Sequence, residues 1–130
     1  MSTPPPIFSG VDSDVLVVHA VRNLYKEVYL GSRKVSKRDK LGIFAKIEVV
    51  LLETFTILIE AEYAKPSVKL PILEKARTKI EIIKQLVRVT YEIGTLTENQ
   101  YLRWQESLQE ISRMTSRWID YIATQNPPIK

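Results

Sequence analysis

The sequence has 130 residues, 45% of them apolar and 26% charged, with 19 Lys and Arg against 15 Asp and Glu and no cysteine. That is the length of one domain and the composition of an ordinary globular chain able to bury a core. It excludes disulfides, thiolate nucleophiles and cysteine-ligated zinc, and no run reaches the ~18 apolar residues of a membrane-spanning helix. The opening MSTPPPIFSG lacks the basic and apolar regions of a signal peptide, so the expectation is a cytoplasmic protein with no membrane partner.

Residues 1–12 read as a flexible, proline-rich tail. A first helix is expected from Ser13 to Leu30, with Val17, Val21, Leu24 and Val28 on one line, Val15, Val18, Tyr25 and Tyr29 beside it, and Gly31 as its C-terminal stop. His19 lies beside the stripe and reads as an ordinary structural histidine, because a lone imidazole lacks partner ligands. Next comes the densest charge in the chain: Arg33, Lys34, Lys37, Arg38 and Lys40 within eight residues, against Asp39 alone. Cations and acids balance over the remainder, so the whole formal excess of +4 can be assigned to this segment. A solvated loop is the plain reading of such a cluster; its concentration in one place points to a directed anionic partner.

A second helix is expected from Ser36, where SKRD is a variant capping box with Asp39 at the third position. Its stripe is Leu41, Phe44, Ile47, Leu51, Phe55 and Leu58, and Pro66 ends it. Glu48, Glu53, Glu60 and Glu62 against Lys46 make this helix acidic; Glu48 and Glu53 read as solvated or interface carboxylates, not acid–base catalysts.

The third helix is expected to begin with Pro71 at its first position and to bury Leu73, Ala76, Ile80, Ile83, Val87, Tyr91 and Gly94. A further apolar line, Ile82, Leu86, Val89 and Ile93, faces elsewhere and asks for a partner surface. Arg77, Lys84 and Arg88 fall on one ridge beside Glu81. The fourth helix starts at Thr97, where TENQ is a capping box, and its stripe is Tyr101, Trp104, Leu108, Ile111, Thr115, Trp118 and Ile122. The aromatic members read as core, not as base-stacking platforms.

Short connections between long helices predict an all-α, up-down-up-down antiparallel four-helix bundle over residues 13–124, with 125–130 as a C-terminal tail. That topology brings the start of helix two, the end of helix three and the start of helix four to one end. Lys37 and Arg38 are then expected near Lys84, Arg88 and Arg103, with backbone donors at the helix-two start adding to an anion site. Di-metal chemistry in a bundle needs Glu-x-x-His pairs, and the single His19 supplies none. No phosphate-binding glycine loop or nucleophile elbow occurs, so neither enzymatic activity nor a cofactor is expected.

The segments VSKRDKLGIFAKI, LVRVTYEIGTLTENQY and ISRMTSRWI, in this order and spacing, resemble a four-helix-bundle family. It contains the accessory variability determinant of diversity-generating retroelements and the proteins encoded in 23S ribosomal RNA intervening sequences. The resemblance covers about Leu24 to Ile122, on motifs of packing and capping. Arg38, Leu41 and Gly42 match its arginine and Leu-Gly pattern, Arg88 an arginine late in helix three, and Trp118 a tryptophan near the end of helix four. Where relatives often carry a proline, this chain reads Val35-Ser36-Lys37. The resemblance implies a non-enzymatic protein that forms a pentameric barrel and binds a reverse transcriptase with its template RNA. Intervening-sequence proteins share the bundle without known catalysis, and a protein-only interaction module is a third reading; concentrated positive charge favours the first. Arg33, Lys34, Lys37, Arg38, Lys40, Arg77, Lys84 and Arg88 are then expected to hold the phosphates of RNA or DNA, and Ile82, Leu86, Val89 and Ile93 to form the oligomer interface.

Overall fold

The computed structural model describes residues 9–125; of the expected tails, 1–8 and 126–130 lie outside the described residues. It contains five α-helices, α1 (Ser9–Gly31), α2 (Lys37–Leu41), α3 (Ile43–Tyr63), α4 (Pro66–Glu92) and α5 (Glu98–Gln125), with a 3-10 turn at Ser32–Lys34. No strand occurs among the described residues. Four long helices pack together: α1 touches α3 and α5, and α4 touches the same two from the other side.

Most of the predicted stripes form the core; Leu41, expected to open the helix-two stripe, is 66% exposed because it ends the short α2, and Phe55, Tyr91 and Tyr101 are partly buried. Val17, Val21, Leu24 and Val28 enter it from α1, and Phe44, Ile47, Leu51 and Leu58 from α3. Leu73, Ala76, Ile80, Ile83 and Val87 come from α4, and Trp104, Leu108, Ile111, Trp118 and Ile122 from α5. Apolar burial of this extent is the main force favouring folding. Three threonines share the interior, and each hydroxyl donates to the carbonyl one turn back: Thr54 to Val50, Thr90 to Leu86 and Thr115 to Ile111. None therefore carries an unmet hydroxyl into the core.

Several boundaries differ from expectation, each for a local reason. α1 begins at Ser9, four residues before the predicted Ser13. The second predicted helix is two, broken at Gly42 (φ −99°, ψ −101°), whose N–H closes α2 on the Arg38 carbonyl while its own carbonyl accepts Lys46 N–H. A Cβ there would stand 2.9 Å from the Arg38 oxygen, so glycine permits the break. Pro66, not Pro71, takes the first position of the next helix, and Pro71 lies inside α4. Gly31 keeps right-handed angles, and the Trp104 ring lies in van der Waals reach of it, 3.4 Å from where a Cβ would be. The left-handed stop belongs to Gly94, which leaves the predicted stripe at φ +84°. Its N–H reaches the Tyr91 carbonyl at 2.9 Å and Thr95 N–H reaches Thr90 at 3.1 Å, the paired bonds of a Schellman ending.

Contacts between helices set their register. Lys69 Nζ donates to the last-turn carbonyls of Ala61 and Glu62 at 2.6 and 3.0 Å, and Lys79 meets Glu53 at 2.9 Å. As α4 advances, its partners on α3 recede. The Thr97 capping box forms in both directions, Gln100 N–H to Thr97 Oγ1 at 3.1 Å and Thr97 N–H to Gln100 Oε1 at 3.0 Å, and starts α5 where predicted.

Two substitutions test this frame by thermal unfolding followed by circular dichroism. Gly94→Ala forces a Cβ into the left-handed region and should cost about 1–2 kcal/mol. Leu108→Ala opens the core at a fully buried position and should cost about 2–5 kcal/mol.

Candidate nucleic-acid interface

Three local contacts fix the basic segment to one end of the fold. The Ser32 hydroxyl donates to the Tyr29 carbonyl at 2.7 Å, folding the 3-10 turn back onto the end of α1. Ser36 caps α2 by accepting Asp39 N–H at 3.2 Å. Asp39 does not return the capping bond; its carboxylate accepts the Thr95 hydroxyl at 3.1 Å and so joins α2 to the α4–α5 connection. Since Gly31 also abuts Trp104 and Gln100, the end of α1, α2, the end of α4 and the start of α5 meet in one place.

Arg33, Lys34, Lys37, Arg38 and Lys40 are all exposed there, and among the described residues none of them forms an ion pair. The cations predicted on α4 have a different setting. Arg77 lies 3.8 Å from Glu74, Lys84 2.9 Å from Glu81 and Arg88 3.2 Å from Glu92, each within its own helix. The Lys84 side chain is only 17% exposed. Arg103, expected to enlarge the same cluster, instead faces Glu27 at 3.0 Å. Arg77 precedes Arg88 by about 16 Å along the axis at ~1.5 Å per residue, three turns from this end. The uncompensated field therefore comes from residues 33–40.

Backbone donors contribute less than the sequence implied. α2 has five residues, and its Asp39 N–H is already held by Ser36, so neither a long helix dipole nor a set of free donors stands behind the cations. Side-chain charge must carry any anion binding.

Other candidate groups have ordinary settings. His19 is exposed on α1, with Arg22 Nη2 donating to its Nδ1 at 3.0 Å. Trp104 and Trp118 are buried as predicted; Phe44 meets Trp104 edge to face at 6.1 Å between centroids, and Tyr101 stacks on Tyr91 at 4.3 Å. Glu53 is held below the usual carboxylate range by its hydrogen bond from Lys79. Glu48 is half-buried, and desolvation raises its carboxyl above that range, with the neighbouring Ser32 side chain and the Lys40 charge opposing the shift.

The second apolar line of α4 lies outside the core. Ile82, Val89 and Ile93 are 41%, 44% and 58% exposed and Leu86 is half-buried; with Thr78, Glu81 and Gln85, the first three of this line above Ile93 border a shallow groove. A second groove, along the α3–α4 seam, was not anticipated. Exposed Val49 and Leu52 line it with Glu53, Glu60, Lys75 and Lys79. Tyr29, grouped with the helix-one core by sequence, is also exposed, with the Arg33 guanidinium carbon 5.7 Å from its ring centroid.

Compared with protein-family models, with curated proteins and with solved structures, the chain matches none.

Glu48 gives a pH test. Its ionisation costs more in the folded chain than in the unfolded one, so the associated stability is present below the unfolded value and is lost as pH rises through the raised folded value. Glu48→Gln should therefore raise the melting temperature at neutral pH, and the gain should disappear in acid, where the wild-type carboxyl is protonated. Melts across a pH series measure both.

Proposed function

We propose that this protein is a non-enzymatic, cytoplasmic accessory factor of a diversity-generating retroelement, which holds template RNA by its phosphates and presents it to a reverse transcriptase. The observation carrying this reading is the set of five exposed, unpaired cations at residues 33–40, beside paired cations on α4. Phosphate binding exchanges condensed counterions for Lys and Arg, and no element here is shaped to read base edges, so affinity is mostly electrostatic and tolerant of sequence. Arg88, at the end of α4, adds to the cluster by exchanging Glu92 for a phosphate; Lys84 and Arg77 are secondary contacts.

The proposal includes an up-down-up-down antiparallel arrangement, supported by the receding contacts of α4 on α3, and assembly into a pentameric barrel. Ile82, Leu86, Val89 and Ile93 are its interface, because so much aliphatic surface on one helix face is better covered than hydrated. A ring would repeat the local charge excess around one rim and focus the field on an anionic chain. The groove at Val49 and Leu52 favours one competing reading, a protein-only interaction module in which both apolar faces receive proteins.

Fluorescence anisotropy with labelled RNA over a salt series separates the two. Binding should weaken steeply with salt, and replacing Lys37, Arg38 and Arg88 together by Ala should lower affinity alike for unrelated sequences and flatten the salt dependence. Stability should stay within about 0.5 kcal/mol, since exposed charges contribute little to folding. Unchanged affinity and slope would favour the protein-only module. Leu86→Glu with Val89→Glu should convert the assembly to monomers in light scattering, as buried unpaired carboxylates cost several kcal/mol; a monomeric wild type at micromolar concentration contradicts the barrel.

A further inference from the structure

We propose that this basic end selects single-stranded over duplex nucleic acid, with Tyr29 as the platform on which a base stacks; the inference rests on the phosphate-binding reading above. Tyr29 stands apart from the other aromatic side chains near this end. Trp104 and Phe44 are buried, Tyr25 packs against the core, and Tyr91 and Tyr101 cover each other. Tyr29 is 47% exposed, and Tyr25 meets it only at a tilt of 31° and 6.2 Å. Tyr63 and Tyr121 are also exposed, but they stand near the far ends of α3 and α5, away from residues 33–40.

The ring is placed among the cations by the backbone. The Ser32 hydroxyl ties the 3-10 turn to the Tyr29 carbonyl, and the next residue, Arg33, projects its guanidinium to 5.7 Å from the ring centroid. Leu30 and Leu41 are 52% and 66% exposed beside the same cations. Exposed aromatic and aliphatic surface thus flanks the positive charge, Tyr29 and Leu30 on one side in sequence and Leu41 on the other.

A duplex has little use for an exposed ring beside the cations. Its bases are stacked and paired inside, so it offers the phosphates to the cations and leaves the Tyr29 ring hydrated. A single strand offers both: the phosphates meet Arg33, Lys34, Lys37, Arg38 and Lys40 while a base lies on the ring. Every base has a π face, so stacking adds affinity without demanding sequence.

The test is anisotropy with a labelled oligouridine strand and an RNA duplex of equal length, using wild type, Tyr29→Ala and Tyr29→Phe. Tyr29→Ala should bind the single strand about tenfold more weakly, the loss that ~1.4 kcal/mol of stacking represents. Duplex affinity and the salt dependence on both ligands should be unchanged, and Tyr29→Phe should behave as wild type. No loss in Tyr29→Ala, an equal loss on strand and duplex, or a change in oligomeric state in place of a change in binding would each overturn the stacking role. Wild-type binding that lacks salt dependence would overturn the phosphate reading beneath it, a separate result.

Discussion

One apolar stripe from each of four helices must reach a common interior, and the remaining features follow from that demand. Once α4 turns Leu73, Ala76, Ile80, Ile83 and Val87 inward, a residue advance of ~100° per position leaves Ile82, Val89 and Ile93 facing out. The same burial brings Trp104 against the end of α1, within van der Waals reach of position 31. Packing in the middle of the bundle thereby decides what is displayed at its end.

The chain between α1 and α3 is where that display is made. It has no stripe of its own: α2 is five residues long and none of them is buried. Its position depends on short polar contacts, Ser32 to Tyr29, Ser36 to Asp39 and Asp39 to Thr95. Five cations so held cannot scatter across the surface, and the one carboxylate within the segment, Asp39, already accepts the Thr95 hydroxyl. This segregation of charge from core is why binding and stability are expected to respond to different substitutions.

Most of the helical layout was legible because stripe and caps agreed. Thr97 with Gln100 announced α5, and the stripe from Trp104 to Ile122 is buried almost residue for residue. The misreadings came from glycine and proline, whose local cues admit several outcomes. Gly31 and Gly94 both looked like helix-associated glycines; the first keeps right-handed angles, and the second carries the left-handed Schellman ending. Pro66 and Pro71 could each have opened α4, and only the structure distinguishes them. For the candidate site, sequence located the five cations but could not tell that Arg77, Lys84 and Arg88 pair within their helix. Tyr29 could have been found: it lies about 110° from the middle of the Val17–Val28 line at ~100° per residue, too far round to share that core face.

The central claim is that residues 33–40, fixed at the bundle end, are the surface that meets nucleic acid. Amide hydrogen exchange with and without a short single-stranded RNA tests it without altering the chain. New protection is predicted from Tyr29 to Leu41, with the core helices unchanged. Protection along Ile82–Ile93 with residues 29–41 unaffected, or none anywhere at saturating RNA, would contradict the account.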